Sequence, residues 1–213
     1  MAERGLDYLT GKNRERFNLF GSLLLSVATS PIVAGAAAIS ALDTLDNPIY
    51  QQERVGRYNT RFQMLKIRTL RRALVDRDPT TYGTYDHRAS WIGGLLRKTA
   101  FDELPQLFNV LAGEMSLVSL RGVTDNEMQR LRDIDAGLQT DWEEIYKIAG
   151  PGIAGVGQTF RKQQGDNNSP TSWREGMRLD IAWAETATLA GDIKILAQTP
   201  VQLLVGKPVE LTK

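Results

Sequence analysis

The chain has 213 residues, 42% of them hydrophobic, which is enough for one main core but too short for two full domains. Lysine and arginine (26) nearly balance aspartate and glutamate (25), so no overall field favours nucleic acid or another polyanion as a partner. The absence of cysteine excludes disulfides, thiolate metal sites and a cysteine nucleophile. The single histidine, His87, lies in a polar run and is interpreted as a surface residue. Any bound metal therefore needs oxygen ligands, which favours Mg2+.

The first predicted element is an uncharged, apolar segment at residues 17–42. Its length reaches the roughly 20 residues that a helix needs to cross a bilayer. Three interpretations are open: a spanning helix, a signal peptide cleaved near the small residues 36–38, and a helix that enters the membrane and turns back. Hydropathy alone favours the spanning helix. At its middle, Pro31 removes a helical donor and the Ser30 hydroxyl can bond a freed carbonyl, which predicts a kink.

Basic residues flank this segment on both sides. Those before it indicate a cytoplasmic N-terminus, because lysine and arginine collect on the cytoplasmic side of membrane helices. The chain after it is also basic, so charge does not separate the two sides, and this suits a helix that turns back. The basic residues are Lys12, Arg14 and Arg16 before the segment and Arg54, Arg57 and Arg61 after it.

The middle of the chain is predicted to combine a β-hairpin with short helices. Residues 49–70 contain two β-prone stretches around a Gly-Arg-Tyr-Asn turn, which is typical of a hairpin. The polar residues 71–90 predict a loop or a weakly helical connector. Glycines and Pro105 punctuate residues 91–111, which predicts two short helices that meet near Asp102.

The rest of the chain is predicted to be mainly helical. Residues 124–148 have the apolar spacing of one amphipathic helix. The glycine-rich stretch that starts at Gly150 ends this helix and opens a strand or a loop. Two further helices follow a polar loop at 163–172: residues 173–189, and residues 192–204 with an interruption at Pro200.

The adjacent acids Asp102 and Glu103 are the main candidates for chemistry. Alone, they are better explained as the N-cap and the acidic first turn of the helix that follows. When their neighbours are included, a catalytic role becomes the better explanation than capping. Two carboxylates, several cations and a helix N-terminus together can form a binding site for a phosphate. A carboxylate beside Mg2+ can also act as a nucleophile on phosphorus. The neighbouring cations are Arg97, Lys98 and Arg121.

Two weaker candidates lie elsewhere in the chain. Lys66 and Arg68 are two residues apart, so a strand would place them on one face, either as phosphate ligands or as a solvated basic edge. The four glycines of residues 150–157 are explained more simply by turns than by contact with a phosphate.

Four sequence blocks, taken in order, resemble the bacterial sugar transferase family, the monotopic phosphoglycosyl transferases. The resemblance covers residues 17–204, and the ordered set is far more specific than any single block. The blocks are the apolar segment with Ser30-Pro31, then QERVGRYNTRFQMLKIRTL, then LLRKTAFDELPQLFNVLAGEMSLVSLRG, then GPGIAGVGQ with the helix containing Asp180 and the closing DIKIL.

The resemblance implies an α+β, mainly helical fold in two parts. Residues 1–46 would form a re-entrant membrane helix region broken at Ser30-Pro31, with both ends in the cytoplasm, and this replaces the preference for a spanning helix. Residues 47–213 would form a cytoplasmic catalytic domain with a small β-hairpin and surface amphipathic helices. The expected location is the cytoplasmic face of the bacterial inner membrane.

The resemblance also implies an enzyme that moves a sugar phosphate from a nucleotide-diphosphate sugar to polyprenol phosphate, with undecaprenyl phosphate as the expected acceptor. Asp102 would attack the phosphate and hold a covalent phosphosugar, Glu103 would support the metal or manage a proton, and Mg2+ would bind at both acids. The implied partners are these substrates and the lipid bilayer, and nucleic acid is not expected as a partner. Whether the chain forms a homo-oligomer is left open by the resemblance. The expected phosphate-binding residues are Lys66, Arg68, Arg97, Lys98 and Arg121.

Two departures from the family pattern concern the expected substrate more than the reaction. Relatives read SLVGPRP where this chain reads SLVSLRG at 116–122, which keeps Arg121 but loses both prolines and the glycine. Relatives place an arginine and a histidine before the PGITG-like block, where this chain has Lys147, a point charge without the arginine fork. The alternatives are a membrane-anchored scaffold of the same fold with impaired catalysis, and a bitopic receptor. The retained acidic pair favours the transferase.

Overall fold

The computed structural model describes residues 3–71, 89–164 and 169–205. Within this part helices dominate and short strands form two small sheets, which confirms the predicted α+β, mainly helical fold. His87 and most of the predicted connector, residues 72–88, lie outside the described residues. The helices are α1 (Glu3–Leu9), α2 (Lys12–Thr44), α3 (Trp91–Thr99), α4 (Gln106–Leu111), α5 (Asp125–Ile134), α6 (Ala136–Ala149), α7 (Val156–Gln163), α8 (Pro170–Thr186) and α9 (Leu189–Val205). The strands are β1 (Ile49–Val55), β2 (Arg61–Ile67), β3 (Ser116–Val118), β4 (Leu120–Arg121) and β5 (Pro151–Ala154).

The apolar N-terminal segment lies in α2, a helix of 33 residues and about 50 Å at 1.5 Å per residue. Among the described residues, α2 is the one helix long and apolar enough to cross a membrane. Only 11% of its most apolar window is buried, so the domain does not use this surface as core. Pro31 lies inside the helix, and the Ser30 hydroxyl donates to the Val27 carbonyl at 2.9 Å. That carbonyl is the one whose helical donor Pro31 removes.

Arg14 joins the beginning of α2 to the rest of the domain. Its side chain is 1% exposed and donates to the carbonyl oxygens of Leu9, Val118 and Ala149 at 3.0 to 3.3 Å, and to the Ser119 hydroxyl at 3.2 Å. A guanidinium removed from water needs such acceptors to replace its hydration. Arg14 therefore fixes the base of α2 against β3 and the end of α6.

Strands β1 and β2 form the predicted antiparallel hairpin, paired from Ile49 opposite Ile67 to Val55 opposite Arg61. The turn at Arg57–Asn59 contains two left-handed residues, which closes the hairpin tightly. β2 packs against α4 and against the turn that precedes α4. The hairpin therefore forms one wall around the acidic pair.

The second sheet is parallel, with β5 between β3 and β4. Glycine is required at position 152, because a Cβ there would lie 2.3 Å from the Ser119 amide nitrogen. This close approach places Gly152 opposite Ser116 on β3 and opposite Arg121 on β4. The glycine-rich stretch was predicted to open either a strand or a loop. Its beginning, Pro151–Ala154, is a strand.

The core lies between this sheet and the helices α6 and α8. At its centre the rings of Trp142 and Tyr146 stack with their centroids 4.8 Å apart beside Met177, and none of the three side chains is exposed. The Tyr146 hydroxyl donates to the Val55 carbonyl at 2.6 Å. This hydrogen bond ties the hairpin to the helical layer.

Two helix predictions differ from the structure. Residues 124–148 form two helices, because Asp135 is extended (φ −165°) and its carboxylate accepts from the Leu138 amide at 3.1 Å to cap α6. The last helix, α9, continues through Pro200 without the predicted interruption. A proline removes only one backbone hydrogen bond of a helix, and the hydrogen bonds of the neighbouring turns keep the helix continuous. The helix predicted at 173–189 is α8, which begins three residues earlier.

Candidate active site

The acids Asp102 and Glu103 lie in a 3-10 turn, Phe101–Glu103, between α3 and α4. This confirms that two short helices meet there. Ala100 ends α3 in the left-handed conformation (φ 58°), which redirects the chain into the turn. The N-cap prediction for Asp102 is wrong, because Pro105 stands at the N-cap position of α4 and no side chain caps that helix. Helix capping therefore does not explain the acidic pair.

Glu103 is held between two lysines from different elements. Its Oε1 lies 3.2 Å from the Lys66 ammonium on β2, and its Oε2 lies 3.2 Å from the Lys162 ammonium on α7. Burial raises the pKa of Glu103, but the positive charges of Lys162, Lys66 and Arg121 outweigh burial and hold that pKa well below its usual range. Glu103 is therefore ionised at neutral pH.

The surroundings of Asp102 raise its pKa, in contrast to those of Glu103. It is 8% exposed, and its carboxylate has no hydrogen bond or ion pair with any residue in the described parts of the chain. Burial and the charge of Glu103 raise the pKa of Asp102, while Lys66, Lys162 and Arg97 offset part of this rise. Neighbouring acids whose pKa values are pushed apart are typical of sites where the two carboxyl groups have different roles.

A narrow cleft opens beside Glu103. It has three cations, two amides, two thioethers and two glycines around the carboxylate: Arg54, Lys66, Arg121, Gln106, Gln158, Met64, Met115, Gly122 and Gly152. Arg121 makes no hydrogen bond or ion pair with another described residue, although its charge acts on Glu103 and Glu127. The cleft therefore offers an anion the charge of Arg121 and the ammonium group of Lys66.

The buried residue Arg54 forms the rear of this cleft. Its guanidinium pairs with Glu127 and donates to the Gly122 carbonyl at 3.2 Å. Glu127 also accepts from the amide and hydroxyl of Thr124, which closes a capping box at the start of α5. These bonds fix the segment from Arg121 to α5 and therefore fix the backbone that carries the Arg121 side chain.

Comparison with known proteins identifies the family of this chain. The family model described as bacterial sugar transferase matches residues 11–206, which include the helix α2, both sheets and the acidic pair. The chain belongs to the bacterial sugar transferase family. The resemblance found in the sequence is thereby confirmed.

Three curated relatives illustrate the family. The UDP-glucose:undecaprenyl-phosphate glucose-1-phosphate transferase of Caulobacter vibrioides is 30% identical over 191 residues, covering 88% of this chain and 68% of the relative. The UDP-galactose-lipid carrier transferase of Erwinia amylovora is 31% identical over 202 residues, and the undecaprenyl-phosphate galactose phosphotransferase of Salmonella typhimurium is 29% identical over 201 residues. In each of these two, the match covers 87% of this chain and 39% of the relative. The chain therefore spans about two fifths of the length of some family members it matches.

The structure of this bacterial sugar transferase brings some of the predicted phosphate-binding residues to the acidic pair. Lys66 contacts Glu103 directly, and the charges of Arg97 and Arg121 act on Asp102 and Glu103 respectively. These cations come from β2, α3 and β4, which converge on the turn between α3 and α4.

Arg68 and Lys98 are placed elsewhere. β2 ends at Ile67, so strand alternation does not extend to Arg68, which pairs with Asp46 at 3.6 Å and donates to the Asn47 carbonyl at 2.7 Å. Lys98 is exposed on α3 and makes no hydrogen bond or ion pair with another described residue. The structure therefore does not support a phosphate contact for either residue.

Sequence reasoning missed Lys162, Gln106, Gln158 and Arg54. Lys162 lies 59 positions from Glu103 in the chain, in a polar run that reads as an ordinary exposed helix face. Gln106 is close to the acids in the sequence, but an amide at the start of a helix carries no catalytic signal of its own. Only the convergence of β1, α4 and α7 identifies these side chains as site residues.

The residues of the site can supply only part of the ligands that Mg2+ needs. In the described parts of the chain, no group of three or more acidic or histidine side chains is placed to enclose a metal ion. The Asp102 carboxylate is free to bind a cation, whereas both oxygens of Glu103 already face lysines. Mg2+ commonly binds one or two carboxylates together with substrate phosphates, so these residues fit a metal held by Asp102 and the substrate.

Proposed function

We propose that this chain transfers a sugar phosphate from a nucleotide-diphosphate sugar to a polyprenol phosphate, through a covalent phosphosugar on Asp102, and so initiates membrane glycan assembly. The asymmetry of the acidic pair carries this proposal. Glu103 is held between two lysines, while the Asp102 carboxylate has no direct partner among the described residues. A nucleophile needs an unoccupied lone pair, and nearby cations stabilise charge on a phosphate. The names of the Caulobacter and Salmonella relatives support the same reaction class.

In the first step, an Asp102 carboxylate oxygen attacks the phosphorus that carries the sugar. A bond forms between this oxygen and the phosphorus, and the bond from the phosphorus to the oxygen of the nucleoside phosphate breaks. The nucleoside monophosphate leaves with that electron pair. The raised pKa of Asp102 supports this role, because a more basic carboxylate is a better nucleophile and is still ionised at neutral pH.

In the second step, a phosphate oxygen of the polyprenol phosphate attacks the same phosphorus. The new bond gives a diphosphate that links sugar and polyprenol, and the bond to the Asp102 oxygen breaks. The carboxylate is thereby regenerated for the next donor. One nucleophile serves both steps, so the donor and the acceptor occupy the site in turn.

Glu103, Lys66 and Lys162 act together on the phosphate. Glu103 orients the two ammonium groups, and the lysines stabilise negative charge on the transferred group. The depressed pKa of Glu103 makes it a weak base, which favours this positioning role over proton transfer. Arg121, without a direct partner in the described structure, contributes a further cation to the same cleft.

We further propose Mg2+ as the cofactor. When bound, it neutralises charge on the diphosphate and on the departing nucleoside monophosphate. Asp102 is the residue available to hold it, because Glu103 would have to release a lysine to do so.

Membrane attachment through a re-entrant α2 is supported by contacts at both ends of that helix. At its beginning Arg14 is buried in the domain, and near its end Ser40 donates to the Arg68 carbonyl at 2.6 Å while Asp43 pairs with Arg71. A helix that crosses a bilayer places its two ends on opposite sides, but both ends of α2 contact the same domain. This arrangement favours a segment with both ends on the cytoplasmic face.

A second apolar surface supports attachment to lipid. Large apolar side chains project from α3, α4 and the turn between them, and they lie next to α2 in the fold. Exposed tryptophan and phenylalanine are costly in water and are common at the interface of a bilayer. These side chains are Trp91 (82% exposed), Leu95, Phe101 and Phe108.

The experiment that tests the proposed activity is a panel of nucleotide sugars offered to the purified chain in detergent with undecaprenyl phosphate and Mg2+. The expected result is release of nucleoside monophosphate, together with a polyprenol diphosphate sugar, from at least one donor. Omission of the acceptor should leave one labelled sugar phosphate per chain on Asp102. Absence of monophosphate release from every donor would instead support the scaffold alternative.

A further inference from the structure

Asp180 links three helices through one buried carboxylate. It lies on α8 and is 1% exposed. Its Oδ2 accepts from the indole nitrogen of Trp142 on α6 at 3.0 Å, and its Oδ1 accepts from the backbone amide of Gly157 on α7 at 3.0 Å. Both oxygens are therefore engaged inside the protein, and Asp180 does not line the cleft beside Glu103.

The hydrogen bond to Gly157 replaces a missing helix cap. α7 begins after Gly155, which has no side chain that could accept from the amides of the first turn. In many helices a serine, threonine, asparagine or aspartate at that position is the acceptor. Here the acceptor comes from another helix, so the bond that caps α7 also fixes its start against α8.

The helices α7 and α8 are in close contact at this point. A Cβ at position 157 would lie 2.3 Å from the Gly176 carbonyl oxygen and 2.5 Å from Asp180 Oδ1. Near the other end of α7, the guanidinium carbon of Arg161 lies 4.2 Å from the centroid of the Trp173 ring on α8. α7 is thus held against α8 at both of its ends.

This docking sets the direction of Lys162. Successive residues of a helix point about 100° apart, so Lys162 leaves α7 in a different direction from Arg161, which faces α8. The Lys162 ammonium lies 3.2 Å from Glu103 Oε2. α7 has only eight residues, and helices shorter than about 12 residues are marginally stable in isolation. The position of this cation at the acidic pair therefore depends on the contacts of α7 with α8.

We propose that Asp180 is a positioning residue of the active site: it holds the start of α7 against α8 and thereby places Lys162 beside Glu103 and the transferred phosphate. This inference rests on the proposed function, since it needs a reaction in which the charge of Lys162 acts. Asp180 itself touches no substrate and takes part in no bond that forms or breaks.

A double-mutant cycle with Lys162→Met tests whether Asp180 acts through Lys162. Monophosphate release gives kcat/KM for the most active donor of the nucleotide-sugar panel in the wild type, both single variants and the double variant. Asp180→Asn keeps the shape of the side chain, but its NH2 group meets an N–H donor at either Gly157 or Trp142. It should lower kcat/KM about tenfold in the wild type but less than about twofold in Lys162→Met, because effects that act through one shared group are not additive.

Gly157→Ala is a second variant, which disturbs the same contact from the side of α7 in case Asp180→Asn does not fold. Its Cβ would separate the two helices at the position of the Asp180 bond. It should likewise lower kcat/KM in the wild type and have little further effect in the Lys162→Met background.

The matched control is Asp192→Asn. Asp192 is also buried and also accepts from an indole, that of Trp183 at 3.1 Å, but its other oxygen accepts from Tyr8 on α1. Any loss of kcat/KM in Asp192→Asn should be equally large with and without Lys162, because the two sites are independent.

Wild-type activity of Asp180→Asn would overturn the inference. Equal fold losses of Asp180→Asn and Gly157→Ala in both backgrounds would also overturn it, since they indicate a general structural role, and the proposed function would still stand. No monophosphate release by the wild type from any donor would defeat the proposed function itself and the inference with it.

Discussion

The Lys162 ammonium lies 3.2 Å from Glu103 Oε2, although the two residues are 59 positions apart in the chain. The Lys66 ammonium lies at the same distance from Oε1 of the same carboxylate. One acid thus holds two lysines, from β2 and α7, and the neighbouring Asp102 carboxylate has no direct partner among the described residues. This arrangement leads to specific expectations for activity.

Replacement of Lys162 by methionine should lower kcat/KM for the donor by about a hundredfold, because one of the cations that stabilise charge on the phosphate is lost. Monophosphate release measures the effect. Lys147→Met is the control, since Lys147 is partly exposed on α6 and pairs with Glu143 outside the cleft. An equal loss in both variants would show that Lys162 has no specific role.

Asp102→Asn should abolish transfer and the covalent phosphosugar, because the amide keeps the shape of the side chain but is not a nucleophile. Flotation with lipid vesicles should be unchanged, since the proposed membrane contacts lie on α2, α3 and α4. Asp125→Asn, at a carboxylate 63% exposed and paired with Arg61, should behave as wild type. Wild-type turnover in purified Asp102→Asn would remove Asp102 from the mechanism.

The pH dependence of kcat/KM reports the enzyme before the donor and its Mg2+ bind, so it should show the raised pKa of Asp102. Attack requires the ionised carboxylate, so kcat/KM should fall as pH decreases through that pKa, at a higher pH than the value of about 4 of an ordinary aspartate. Glu103→Gln removes the negative charge that raises this pKa and releases Lys66 and Lys162. The profile of kcat/KM against pH should be measured for Glu103→Gln from about pH 4 to about pH 8. Its acid limb, the fall in kcat/KM at low pH, should shift to lower pH whatever the overall rate of the variant.

An unshifted acid limb in Glu103→Gln would contradict the assignment of that limb to Asp102. Glu143→Gln provides the control, because Glu143 also pairs with a lysine but lies on α6, away from the cleft. Its pH profile should match that of the wild type.

Single cysteines at the two ends of α2 should be labelled from the same side of the membrane. The native chain has no cysteine, so Asn13→Cys and Leu45→Cys each introduce one site, and Leu45 is 87% exposed. In inverted inner-membrane vesicles, a membrane-impermeant maleimide should reach both. Labelling of one end in inverted vesicles and of the other only in spheroplasts would establish a spanning helix.

Arg14→Met should lower the free energy of unfolding by about 2 to 4 kcal/mol, because buried carbonyl oxygens on β3 and α6 lose a charged donor. Denaturant unfolding in detergent, followed by tryptophan fluorescence, measures this change. Arg16→Met, at an exposed position of the same helix, should have little effect. Equal stability of the two variants would show that Arg14 does not anchor α2.

Several elements were predictable because their signals are local. The hairpin follows from β-prone stretches around a turn, and the two short helices around Asp102 follow from glycines and Pro105 in an apolar pattern. The break at Asp135 was missed because apolar spacing continues across it, although Asp135 itself caps the second helix. The end of β2 before Arg68 was missed for a similar reason: strand alternation in a sequence does not mark where pairing stops.

The sequence by itself determined the family, through four ordered blocks, and it singled out Asp102 and Glu103 as a pair among cations. The tertiary structure alone decided how the pair divides its roles. Lys162 reaches Glu103 only because the parallel sheet and α7 fold back onto the hairpin, and the resulting charges act over a few ångströms that chain distance does not reveal. Local sequence carries propensity and chemistry, but burial and charge pairing, which separate the two pKa values, exist only after residues from distant positions have come together.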